Sequence, residues 1–130
     1  MKHLLSLIAA GGLALGAGSA AAEAAPGGPA FAHAVFFTLV DPSEAARDRL
    51  IEACRKYLSG HEGTLHFAVG ARDAGMTRDV NVRDFDVSLH IVFDSKAAHD
   101  RYQAHPRHAQ FRELERDTWK QVRVFDSLLR

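Results

Sequence analysis

The chain has 130 residues, with 16 Lys+Arg balanced by 16 Asp+Glu, so its formal net charge is zero. Without excess positive charge to neutralise phosphates, the composition argues against a nucleic-acid partner. The single cysteine, Cys54, cannot form an internal disulfide, so the fold must rest on its own core or on a partner subunit.

Residues 1–22 read as a secretory signal: Lys2, an apolar run from Leu4 to Leu15, then the small residues Ser19-Ala20-Ala21-Ala22. The run is shorter than the roughly 20 apolar residues of a spanning helix. No thiol lies near the cleavage region to take a lipid. The expectation is export to the periplasm or medium, a mature start between Glu23 and Pro26, and no membrane anchor afterwards. Residues 23–30, with Pro26, Gly27, Gly28 and Pro29, form a linker by composition. Residues 31–130 make one domain.

Phe31 to Val40 is rich in Phe and Val and reads as a strand that stops at Asp41-Pro42. Asp41 is placed as a helix N-cap, with Pro42 at the first helical position and Glu44 completing a capping box. Leu50, Ile51, Cys54, Tyr57 and Leu58 recur at helical spacing, and Gly60 ends that helix. Cys54 falls on the apolar stripe and is read as a small core residue. Thr64 to Gly70 is a second strand, with Leu65, Phe67 and Val69 alternating against Thr64, His66 and Ala68. Ala71 to Asp84 is polar, without period, and is read as a mobile loop. From Phe85 to Phe93 the alternation is clear: Phe85, Val87, Leu89, Ile91 and Phe93 share one face, and Asp86, Ser88 and His90 the other. Asp94 or Ser95 caps a helix running to His105. Pro106 then opens a further helix to about Trp119, with Phe111, Leu114, Thr118 and Trp119 inward. Val122 to Phe125 is the last strand.

The order strand, helix, strand, strand, helix pair, strand predicts an α+β fold. It is a ferredoxin-like β-α-β-β-α-β sandwich, an antiparallel four-stranded sheet with helices on one face. The other face would carry Ala32, Ala34, Phe36, Thr38, Asp86, Ser88, His90 and Val92. A mixed, partly apolar face of this kind favours burial by a second sheet, giving a homodimer that forms a dimeric α/β barrel.

The candidate site is the corner Tyr102-Gln-Ala-His105-Pro106-Arg-His108-Ala-Gln-Phe111, where a proline separates two helices and brings a phenol and two imidazoles close in sequence. The plain alternative is that the corner only packs and turns. His33 shares the parity of Val35, Phe37 and Leu39, so it is expected beneath the helices, within reach of Tyr102 and His108. Leu89, Ile91 and Phe111 would line the space and lower the imidazole pKa by desolvation.

Phe31-Ala-His33-Ala-Val-Phe-Phe-Thr-Leu39, Val87 to Phe93 running into Asp94-Ser95, Tyr102-x-x-His105-Pro106-x-His108, and Val122-Arg-Val-Phe-Asp126 together resemble the stress-responsive dimeric A/B barrel (Dabb) family, over roughly Phe31 to Asp126. The resemblance implies a ferredoxin-like protomer that dimerises through its sheets. Plant olivetolic acid cyclase is the enzymatic type in that family, closing a polyketide by aldol condensation without metal or organic cofactor. By match to its motif, His33, Tyr102 and His108 would line the pocket and His108 would be the catalytic base. Two positions depart from that enzyme: Val87 stands where it has a further histidine, and Cys54 or Arg55 where it has a pocket tyrosine.

Four functions compete at this point. The first is a binding module for a small, partly apolar molecule between sheet and helices. The second is a cofactor-free, cyclase- or lyase-like enzyme using His108 as general base and Tyr102 as donor. In the third the histidines are structural and the protein acts through stability or interaction. The fourth is metal binding, because 8 histidines are many for this length. The imidazoles divide between two sheet faces and no His-x-x-x-His pair sits on a continuous helix, so neither a metal nor a cofactor is predicted.

Overall fold

The computed structural model describes residues 28–130; the signal reading and most of the linker lie outside the described residues. The elements are β1 (Phe31–Leu39), α1 (Glu44–Leu58), β2 (Thr64–Ala71), β3 (Val87–Phe93), α2 (Lys96–Ala104), α3 (Pro106–Glu115) and β4 (Trp119–Leu128). The four strands form one antiparallel sheet in the order β2-β3-β1-β4. This is the ferredoxin-like arrangement, with β1 and β3 central and the helices on one side.

Strict alternation builds the core. Along β1 every odd residue from Phe31 to Leu39 is buried, and on β3 Val87, Leu89, Ile91 and Phe93 are buried opposite them. Leu50, Ile51, Cys54 and Leu58 of α1 and Ala98, Tyr102 and Phe111 of the later helices close over this face. Burial pushes the Cys54 thiol up to about 12, consistent with an inert core residue.

The helix boundaries have local causes. α1 is capped by Ser43, not Asp41: Ser43 Oγ accepts from the Ala46 N–H at 3.2 Å, while Asp41 Oδ1 accepts from the Ser43 N–H at 3.0 Å. The two side chains thus share the work expected of Asp41, and Glu44 is the first helical residue. Gly60, at φ +71°, takes the left-handed conformation just beyond the C-cap. Ser95 caps α2 by accepting from Ala98 N–H at 3.1 Å. His105 ends α2 and caps α3, its ring Nδ1 accepting from the Arg107 N–H at 3.1 Å.

Three expectations of register are corrected. An irregularity between Thr64 and His66 turns Leu65 outward, to 64 % exposure, and leaves only Phe67 and Val69 of β2 packed against the core. Phe85 lies before β3 and packs on Phe36 of the outer face, with ring centroids 5.0 Å apart, so it does not share the face of Val87. Helix α3 stops at Glu115; Leu114 is exposed, Thr118 lies in the turn, and Trp119 opens β4, stacking on Phe111 at 5.8 Å. The stretch between β2 and β3 has no helix or strand of its own. It is tied to the sheet by Arg72 Nε–H donating to Phe85 O (2.9 Å), Asp86 N–H donating to Phe37 O (2.8 Å) and Arg123 donating to Asp84 (2.7 Å).

Candidate functional site

The helices cover the sheet unevenly. Val122, Val124 and Asp126 pair in register with Phe37, Val35 and His33, so they share the helix-side face, yet all three are at least partly exposed. Between this uncovered strip and the corner of α2 and α3 lies a cavity of about 270 Å³. His33, Tyr102 and His108 all line it, with Val35, Phe37, Leu58, Leu89, Phe111, Val122 and Val124. Ile91 is buried but stands outside the lining.

Each polar group is delivered by a different element. His33, on β1, is 4 % exposed, and its Nδ1 lies 2.6 Å from Asp126 Oδ1. A carboxylate only accepts, so Nδ1 carries the proton and donates. Burial lowers the His33 pKa, and the Asp126 carboxylate opposes that effect. Tyr102, on α2, is 2 % exposed; burial raises its phenol pKa, so the hydroxyl stays protonated. Its ring meets His108 edge-on at 4.8 Å and His33 at 5.8 Å. His108, in the first turn of α3, is pushed down to about 4, first by burial and then by the Arg112 guanidinium and neighbouring imidazoles. Its Nδ1 is buried without a hydrogen-bond partner among the described residues. A buried unpaired polar atom costs about 1–3 kcal/mol, so this nitrogen is placed to hydrogen-bond a group that enters the cavity.

Other members of the site were not singled out by sequence. His61 packs edge-on against Tyr102 at 5.0 Å and is held by Tyr57 O at 2.8 Å. His99 lies 4.9 Å from His33, and ligand atoms of His33, His99 and Asp126 lie within 4.8 Å of one another. Gln103 and Arg112 also reach the cavity lining. Two of these had a readable signal: His99 stands one helical turn before Tyr102, and Asp126 shares the parity of Val122 and Val124. His105, grouped with Tyr102 and His108 by spacing, stands outside the cavity lining and acts as a helix cap, its ring edge-on to His61 at 4.8 Å. Val87 is wholly buried in the core and leaves no room there for a polar group.

On the opposite face, Phe36 forms edge-on contacts with Phe85, His90 and Phe125 at 5.0, 5.9 and 5.6 Å. With Val82 and Arg123, three of these aromatics frame a second hollow of about 350 Å³ that is almost wholly apolar. It is larger than the helix-side cavity but has no titratable group except Arg123, which is engaged by Asp84.

Comparison with protein families matches residues 31–128 to the Stress Responsive A/B Barrel Domain. Curated proteins give no match. Among solved structures, a Dabb family protein with a ferredoxin-like fold from Mesorhizobium loti is 24 % identical, with 79 % of this chain and 99 % of that one covered and a TM-score of 0.65. A dimeric ferredoxin-like protein from Thermobifida fusca is 19 % identical over 78 % of this chain and 92 % of the other, also at a TM-score of 0.65. The hydroxynitrile lyase of Passiflora edulis superposes equally well, at 0.65, with 16 % identity over 78 % of this chain and 94 % of its own. At these identities the likeness is one of fold. With the family match spanning the whole sheet and all three helices, the chain belongs to the stress responsive A/B barrel (Dabb) family.

Proposed function

We propose that the protein is an exported homodimer that holds a small, partly apolar molecule in the cavity between sheet and helices. The observation that carries this reading is His108: a buried imidazole with an unpaired Nδ1, in the wall of a cavity otherwise built from aliphatic and aromatic groups. A ligand with one hydrogen-bonding group and an apolar body would satisfy that nitrogen and fill the space along Val35, Leu89 and Val124. Dimerisation is supported by the apolar outer face and by the dimeric state of the Thermobifida fusca relative. The family's description supports a stress-related setting, and the leader-like residues 1–22 support export.

A second reading, a cofactor-free cyclase- or lyase-like enzyme, is favoured by one specific pairing. The base candidate His108 is kept neutral, while Tyr102 beside it is kept protonated. A neutral imidazole accepts a proton from an acidic C–H or hydroxyl, and a phenol donates a hydrogen bond to the oxygen that becomes negative. The similarity to a lyase is in keeping with this chemistry.

Native mass spectrometry of protein purified from its own host tests the first reading, with His108→Ala as the partner sample. A retained small molecule on the native protein, lost in His108→Ala at unchanged dimer mass, is the expected result. Equal retention in both would remove His108 from the site.

A further inference from the structure

We propose that His33, His99 and Asp126 form a binding site for a divalent first-row transition metal ion, of the zinc or cobalt type, beside the cavity and separate from the role of His108. The three come from β1, α2 and β4, and their ligand atoms already lie within 4.8 Å of one another. Two are imidazoles that the fold has buried, at 4 % and 8 % exposure, and the third is a carboxylate whose side chain is 38 % exposed. Imidazole nitrogen selects transition ions over calcium or magnesium, and two histidines with one carboxylate leave further coordination positions open.

The surroundings suit ligation. His33 and Asp126 are directly opposite one another in the β1–β4 register, which holds both side chains on the helix side of the sheet. His99 is brought over them by α2, its ring resting on Phe31 at 4.5 Å and Phe93 at 5.7 Å. The His99 Nδ1–H donates to Asp100 Oδ1 at 3.2 Å, leaving the Nε2 lone pair with only a long 3.3 Å contact to the Gln103 amide. A carboxylate holding the non-ligating nitrogen is the usual arrangement around a metal-bound histidine. A tetrahedral ion with bonds of about 2.0–2.1 Å separates its ligand atoms by about 3.3 Å. Reaching that spacing opens the 2.6 Å contact between His33 and Asp126, the more exposed of the ligands, and draws in the remaining ligand atoms from within 4.8 Å. The ion takes the place of the proton that His33 now donates to Asp126.

The test is titration of untagged, chelator-treated full-length protein with Zn2+ by calorimetry and with Co2+ by visible absorption. One ion per protomer is expected, with a Co2+ spectrum of low coordination number, and zinc-induced shifts of the His33 and His99 ring resonances in the unaltered protein. His99→Phe, which keeps the aromatic packing, and Asp126→Asn should each weaken binding at least tenfold, whereas His108→Ala should not. Absence of stoichiometric binding would overturn the site. So would binding that survives His99→Phe and falls with His90→Ala, since it would belong to the outer face. The ring resonances decide the matter even if a variant fails to fold.

Discussion

The helix-side face of the sheet and its outer face are made by the same strands in alternation, yet they reach burial by different means. Behind the helices, Phe31, Val35, Phe37, Leu39, Val87, Leu89, Ile91 and Phe93 are closed off within one chain. On the outer face Phe36, Phe85, Phe125 and Val92 pack only edge to edge or stay partly exposed, and Phe125 is 58 % exposed. The polar groups divide in the opposite sense. His33, His61, His99 and His108 are drawn into the covered side, where burial keeps several of them neutral. The outer face holds His66, His90 and Ser88 near solvent or at its margin. One side therefore offers chemistry and little free apolar area; the other offers apolar area and little chemistry.

The sharpest way to break that contrast is Phe36→Asp. A carboxylate at the centre of a paired apolar face is desolvated without a partner, at roughly 4 kcal/mol or more, about a thousandfold in dimer affinity. Analytical ultracentrifugation should show monomers at micromolar concentration, with the circular dichroism of the domain unchanged. A wild-type protein that sediments as a monomer would remove the assignment of this face to an interface.

Ile91→Ala asks the same question of the other side. Ile91 is 1 % exposed and outside the cavity lining. Its truncation should cost about 2–5 kcal/mol in denaturant unfolding at fixed protein concentration. Because its side chain points away from the outer face, the dimer affinity of the folded protein should be unaltered.

Acid should act through the helix side. His108 takes a proton near 6.5 when unfolded and only near 4 in the fold. Between those values the unfolded state binds more protons, so stability falls as pH drops from about 6.5 to about 4 and is independent of this group above 6.5. His33 and His61, also lowered by burial, act in the same sense. For His108, a wall residue that solvent partly reaches, the loss is on the order of 2 kcal/mol. His108→Gln should flatten the slope of unfolding free energy against pH in this window; an unchanged slope would mean that the imidazole is not held neutral.

Leu65→Thr should have the smallest effect. Leu65 is turned outward by the irregularity at the start of β2, so the change should lie within about 0.5 kcal/mol of zero in thermal unfolding. A loss as large as that of Ile91→Ala would show that Leu65 is buried after all.

Much of this was present in the linear pattern. Alternation alone puts His33 with Val35 and Phe37, and Pro106 alone breaks the helix between Tyr102 and His108, because proline removes a backbone donor and clashes with the preceding turn. Those two local rules suffice to put His33, Tyr102 and His108 on the helix side of the sheet, where all three line the cavity. They fail where one residue is inserted or a strand begins late. Leu65 and Phe85 change faces because a side-chain period of two inverts at a single irregularity.

By itself, then, the sequence determined the order of elements, the apolar stripes of β1 and α1, and the family. Only the tertiary structure decided which charges and rings meet. Asp126 finds His33 across 93 residues at 2.6 Å because β4 returns beside β1. His99 meets His33 because α2 lies over β1 and β3, and His61 meets Tyr102 from the loop after α1. Such contacts depend on strand register and on which part of the sheet the helices leave uncovered. Both are set by the packing of the whole chain, and neither has a local signature in the residues concerned.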